Sequence, residues 1–244
     1  MKTRLYLALA AGLAATFLSA RAATYLGNGG TAFGGAIGLG SLTLTDNGTT
    51  VFGAVNKGPG SFNDVLVIYI DSVGLGFIDS FPFADGADGL RRAISGFDGG
   101  GNRSQLNFTD MLPDYAIALG PASDNFGGLW RLASGGAGSL NFISSVNLSP
   151  TGNNNSPTYT FSFNVGDIGM TPNSGALFYL WGTYISNTGY RSNEAVAGET
   201  DDDQGWVPFT ELNSRTYTIV PEPSSLALLG VGIAAALIWR RRRS

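Results

Sequence analysis

The sequence predicts an all-β fold, a single jelly-roll-like β-sandwich, and three observations carry that reading. Glycine supplies 36 of 244 residues, about twice its usual share, and falls mostly between short runs of β-branched and aromatic residues. One run, DVLVIYID at residues 64–71, is nearly continuously apolar, as a central strand reads. Within residues 23–219 only residues 88–95 read as a helix, and no fixed repeat period appears, which disfavours a solenoid.

The elements follow in chain order. Residues 1–22 read as a secretory signal peptide: Lys2 and Arg4 give a positive start, residues 5–18 an apolar core, and Ala20-Arg21-Ala22 the small residues a signal peptidase needs. Cleavage after Ala22 is expected, with Ala20 as the other option. Residues 41–45 alternate leucine with polar residues, Asn47-Gly48 favours a turn with positive φ, and residues 50–55 return as the hairpin partner. Further strands are expected at residues 64–71, 115–119, 128–132, 139–144, 158–164, 176–185 and 216–220. Residues 149–157, SPTGNNNSP, read as an exposed loop.

Inventory excludes much chemistry. The chain has no cysteine and no histidine. Serine–histidine triads, cysteine dyads, disulfides and the usual histidine/cysteine zinc sites are therefore absent. From Ala23 to Pro223 there are 7 basic and 18 acidic residues, a net charge of −11. That surface repels nucleic acid and anionic lipid.

The tail is a separate module. Val220-Pro221-Glu222-Pro223 cannot continue a helix or a central strand, because proline lacks an N–H and fixes φ. Residues 224–239 then form an uncharged small and aliphatic run ending in Trp239, and Arg240, Arg241, Arg242 and Arg243 close it. As a helix the run is roughly 24 Å long, against a hydrocarbon core of about 30 Å. Snorkelling arginine stems and local thinning make up the difference. A single transmembrane helix with its arginine end on the cytoplasmic side is expected.

This combination of Val-Pro-Glu-Pro-Ser, a short apolar helix and an arginine cluster closely resembles the PEP-CTERM sorting signal of Gram-negative bacteria, a module also labelled an ice-binding protein C-terminal domain. The resemblance covers residues 220–244. It implies recognition of Pro221, Glu222 and Pro223 by an exosortase, a membrane transpeptidase-like enzyme, and release or transfer of the body to the cell surface or exopolysaccharide matrix. The body, residues 23–219, resembles exported concanavalin-like or carbohydrate-binding β-sandwiches in general pattern only.

Within the body, Trp130, Trp206, Tyr184 and Tyr190 are the aromatic residues on which sugar rings can stack, whereas Trp181 lies in an apolar strand and reads as core. Asp201, Asp202 and Asp203 supply the hard oxygen ligands calcium prefers, without matching an EF-hand loop. They read first as a solvated acidic loop, so no cofactor is expected. Asp46, Asp64, Asp71 and Asp79 are the carboxylates an Asp/Glu glycosidase would draw on. Gly99-Gly100-Gly101 lacks the lysine and helix of a phosphate loop. Thr43-Leu44-Thr45 and Thr158-Tyr159-Thr160 resemble the threonine rows of ice-binding faces, but two pairs make no regular array and support no ice-binding reading.

The expectation is an exported, non-enzymatic surface or matrix protein, structural or adhesive and glycan-binding. Its partners are signal peptidase, an exosortase-like enzyme and exopolysaccharide, not nucleic acid. The alternative is an exported carbohydrate-active enzyme, and a third reading keeps residues 224–244 as a permanent anchor.

Overall fold

The computed structural model describes residues 22–201 and 203–221. The expected signal-peptide core with Ala20, the apolar run 224–239 and its arginines, Glu222, Pro223 and Asp202 lie outside the described residues. Among the described residues no helix is long and apolar enough to cross a membrane.

Among the described residues fourteen strands form in the order β1 (Ala22–Leu26), β2 (Ser41–Asp46), β3 (Thr50–Asn56), β4 (Val65–Asp71), β5 (Leu106–Asn107), β6 (Tyr115–Gly120), β7 (Phe126–Arg131), β8 (Asn141–Ser145), β9 (Thr158–Asn164), β10 (Leu177–Ile185), β11 (Arg191–Val196), β12 (Glu199–Thr200), β13 (Phe209–Leu212) and β14 (Arg215–Thr218). A four-stranded sheet runs β1-β2-β3-β9. A seven-stranded sheet runs β11-β10-β4-β6-β7-β8, with β14 also on β10, and a small third sheet joins β12, β13 and β5.

The two large sheets pack as a sandwich. Leu42, Leu44, Val51, Phe161 and Phe163 from the first meet Leu66, Ile68, Ile70, Ile117 and Leu180 from the second. The sandwich expectation holds, but the jelly-roll connectivity differs. Successive strands β1 to β3 stay in one sheet, and β4, β6, β7 and β8 are neighbours in the other, whereas a jelly roll is built from two Greek keys.

The seven-stranded sheet is covered on its second face as well. There Val65, Val67, Tyr69, Ala116, Ala118 and Trp181 pack under Phe83, Ile94, Leu106 and Phe209. Double burial explains why β4 and β6 are apolar at successive positions instead of alternating. The one α-helix among the described residues, α1 (Gly89–Ser95), belongs to this cover. Asp88 caps it by accepting the Arg91 N–H at 2.9 Å, and Gly96 ends it in the left-handed region at φ 67°.

No disulfide is available, and buried carboxylates hold the loops instead. Asp46, Asp85, Asp114, Glu194 and Glu211 are all buried. Each accepts at least two main-chain N–H groups; Asp85, for example, takes those of Ala87, Gly138 and Leu140. Charge-assisted bonds of this kind are stronger than neutral ones.

Candidate functional site

β11 reads as polar, RSNEAV, yet it is mostly buried. The reason is Glu194. Its Oε1 accepts the N–H groups of Phe33 and Gly35 at 2.8 and 3.0 Å, and its Oε2 those of Ile37 and Gly38 at 2.9 and 3.1 Å. Four N–H donors satisfy the carboxylate and fold the glycine-rich segment 27–40 against β11. Glycine is required at this close approach: a Cβ on Gly38 would stand 2.0 Å from the Gly30 carbonyl oxygen.

The folded segment delivers Phe33 to the finish of β10 and the start of β11. Phe33 stacks on Tyr190 at 6.2 Å and 12°, and meets Tyr184 edge-on at 5.7 Å. Trp206 stands perpendicular to Tyr190 at 5.6 Å. Asp64, just before β4, donates its N–H to the Tyr184 hydroxyl at 3.0 Å. Its carboxyl is held above the usual range, first by burial and then by the negative charge of Glu194. Burial likewise pushes the Tyr184 hydroxyl far up. The result is a rim of half-buried rings, Phe33, Tyr190 and Trp206, beside a desolvated carboxyl. Flat apolar faces next to an acceptor are what a sugar ring needs.

Three of the four aromatic residues expected from sequence therefore converge, but in two different roles. Tyr190 and Trp206 form the half-exposed rim. Tyr184 is 0% exposed and supports it from the sandwich core, so its ring face is closed to ligand. Trp130 is elsewhere: at 2% exposure it lies in the second core, with Phe142 against its ring and the Arg91 guanidinium over it. Both corrections have one cause, because the seven-stranded sheet is buried on each face. Trp181 is core, as expected. Phe33 and Glu194 were missed, and their one sequence trace is a lone phenylalanine in a glycine-rich run.

The acidic candidates separate in space. Asp46 is buried, Asp71 accepts the Leu112 N–H at 3.0 Å, and Asp79 accepts the Phe81 N–H at 2.7 Å. Asp64 and Asp71 flank opposite ends of β4. The carboxylate near Asp64 is Glu194, which the sequence did not single out. Asp201 accepts the Thr210 N–H at 2.6 Å, and Asp203 is exposed. Among the described residues no group of three or more acidic side chains could hold a metal ion.

The second functional region is the exit of the chain from the fold. β14 pairs with the start of β10, Leu177 opposite Thr218. Ile219 is buried, and its N–H bonds the Ala176 carbonyl at 2.9 Å. Asp46 then accepts the Val220 N–H at 2.9 Å and the Tyr217 hydroxyl at 2.6 Å. Pro221, the next residue, is exposed. Ala22 pairs with Thr45, the neighbour of Asp46, and the Tyr25 hydroxyl donates to the Thr216 carbonyl at 2.8 Å. Residues 22 and 221 thus leave the domain at one pole. The aromatic rim lies at the other end of β10, nine residues away, or roughly 30 Å.

No curated protein and no solved structure matches this chain. One family model does match, over residues 220–243, beginning at the valine that Asp46 holds. The segment that follows the last strand is a PEP-CTERM protein-sorting motif, the mark of an exported, surface-directed protein recognised by exosortase.

Proposed function

We propose that the body is a non-catalytic structural or adhesive domain, displayed at the cell surface or in the extracellular matrix, that engages polysaccharide through the rim of Phe33, Tyr190 and Trp206. One relationship carries this reading: the sorting motif starts at the pole of β10 opposite the rim. A body tethered or transferred through residues 220–223 turns the rim outward. In this reading residues 224–239 hold the precursor in the membrane, signal peptidase acts beside Ala22, and exosortase acts at Pro221, Glu222 and Pro223.

The alternative is an exported carbohydrate-active enzyme. What favours it is the Asp64–Glu194 pair with the raised Asp64 carboxyl, because shifted acids gather at catalytic sites. Against it, both oxygens of Glu194 are already occupied by four main-chain donors.

The test is intact mass spectrometry of the protein recovered from the envelope and medium of its host, with binding of that product to the host's own exopolysaccharide. A product running from near Ala23 to the Pro221–Pro223 region, and bound less well after Trp206→Ala, supports the proposal. A product that retains Arg240 to Ser244 sinks the processing step. Undiminished binding by the Trp206 variant sinks the rim.

A further inference from the structure

The outer face of the four-stranded sheet is unlike the rest of this acidic body. Register places Thr24, Thr43, Ala54 and Thr160 in one row across four strands, and the adjacent row sets Phe52 between Thr45 and Ser162. The two threonine pairs that form no array along the sequence thus share a single face. No outward residue of β1, β2, β3 or β9 carries a charge, although the segment from Ala23 to Pro223 has 18 acidic residues. Exposed sheet surfaces are ordinarily protected from association by charge.

The face is also hollowed. A depression of about 330 Å³ is bounded by Thr43, Thr45, Phe52, Asn147, Thr160 and Ser162, with Gly53 and Phe161 in its floor. That volume falls within the range of small-ligand sites, about 300–1,000 Å³. Gly53 and Phe161 face the sandwich core, where the Phe161 ring fills the place a Cβ on Gly53 would take, 2.2 Å away, so the floor of the depression is main chain. Phe52 stands at the edge, 45% exposed. The Asn147 amide donates to the Ser162 hydroxyl at 3.3 Å, and the Thr24 and Thr43 hydroxyls lie 3.0 Å apart, so the hydroxyl ladder is already oriented.

We infer that this groove is a binding site for a neutral polysaccharide chain, separate from the aromatic rim. Sugar C–H faces would lie on the Phe52 ring while hydroxyls exchange hydrogen bonds with the threonine, serine and asparagine side chains. The uncharged lining excludes a uronic-acid or sulfated polymer as the preferred ligand, since it offers no counter-charge to desolvated anions. A second copy of the chain is the competing occupant. A groove with one protruding ring suits it less well than a flat, apolar patch would.

Affinity electrophoresis of the full chain, in a detergent without sugar headgroups, tests the assignment. The gels hold dextran, hydroxyethylcellulose or galactomannan, with alginate as the anionic comparison. At least one neutral polymer should retard the protein while alginate does not. Phe52→Ala, on the exposed face and checked by thermal melting, should weaken that retardation about tenfold, as losing one stacked ring implies, and Thr160→Glu should weaken it by setting a charge in the uncharged lining. Trp206→Ala should retain it. If Phe52→Ala binds normally and Trp206→Ala does not, the groove is overturned and the rim stands; the reverse result supports the groove as a site of its own, the rim being tested on the host's exopolysaccharide. Absence of retardation in every neutral gel overturns the groove, as does a dimer in sedimentation that dissociates on Phe52→Ala.

Discussion

The Asp46 carboxylate accepts the Val220 main-chain N–H at 2.9 Å through one oxygen and the Tyr217 hydroxyl at 2.6 Å through the other. One buried side chain therefore fixes where the fold stops and the sorting motif starts. Replacing Asp46 by alanine should destabilise the body by about 2–4 kcal/mol, because it removes the charged acceptor of three donors, the Gly48 and Val220 N–H groups and the Tyr217 hydroxyl. It should also open residues 219–220 to proteases in the folded protein. Urea unfolding and limited proteolysis read both effects, and an unchanged midpoint would argue against the clamp.

Glu194 tests the origin of the rim. With four main-chain donors on its carboxylate, Glu194→Ala should destabilise the protein by roughly 3–5 kcal/mol. Glu194→Gln keeps one acceptor oxygen and should fall between alanine and the parent. In both, segment 27–40 loosens and Phe33 leaves Tyr190. Increased hydrogen exchange across that segment, ahead of the rest of the sheet, is the expected readout.

Two tryptophans give opposite outcomes. Trp130→Ala opens a cavity in the second core, with a loss of about 3–5 kcal/mol, and should leave polysaccharide binding by the remaining folded protein intact. Trp206→Ala, at the half-exposed rim, should alter stability by under about 1 kcal/mol while weakening binding. Melting temperature and binding to the host's own exopolysaccharide, measured on the same samples, separate the two roles.

Gly53 lies under the Phe161 ring, where a Cβ would stand 2.2 Å away. Gly53→Ala should cost about 1–3 kcal/mol by overpacking the sandwich core. A double variant with Phe161→Leu should recover part of that loss, and denaturant midpoints of the four proteins measure the coupling.

Asp64 and Asp98 should give pH effects of opposite sign. Asp64 is held above the usual carboxyl range by burial and then by Glu194, so its native form binds the proton more tightly than the unfolded chain. Its ionisation therefore opposes folding. Asp64→Asn should be the more stable protein at neutral pH, with the advantage shrinking as pH falls through the raised value towards 3.8. Asp98 is held below its usual value, first by the Gly100 N–H and then by the Asn102 side chain and further main-chain donors. It contributes stability above that usual value, lost as pH falls through the depressed one. Asp98→Asn should thus be less stable at neutral pH and match the parent only in strong acid. Melting temperatures of both variants across pH 2–7 check the two signs.

Much of the sandwich was legible because its signals are contiguous. The hairpin at Asn47-Gly48, the central strand through residues 65–71 and the strand at residues 158–164 appear where alternation and turn residues put them. β11 was not legible. Arg191, Ser192 and Glu194 look like surface residues until segment 27–40 brings its N–H groups to the carboxylate. β1 was hidden for another reason: it begins at Ala22, where the cleavage pattern dominates the reading.

By itself, the sequence determined the β class, the exclusion of histidine and cysteine chemistry, and the sorting motif at residues 220–243. Each of these is an inventory or a local pattern, requiring no contact between distant residues. Tertiary structure alone decided which aromatic residues are buried and that Phe33, Asp64, Tyr190, Glu194 and Trp206 share one pole. It also decided that residues 22 and 221 share the other, and that separated threonines meet on one uncharged face. Strand pairing and double burial of the central sheet create those relationships, and neither is encoded in the spacing of residues along the chain.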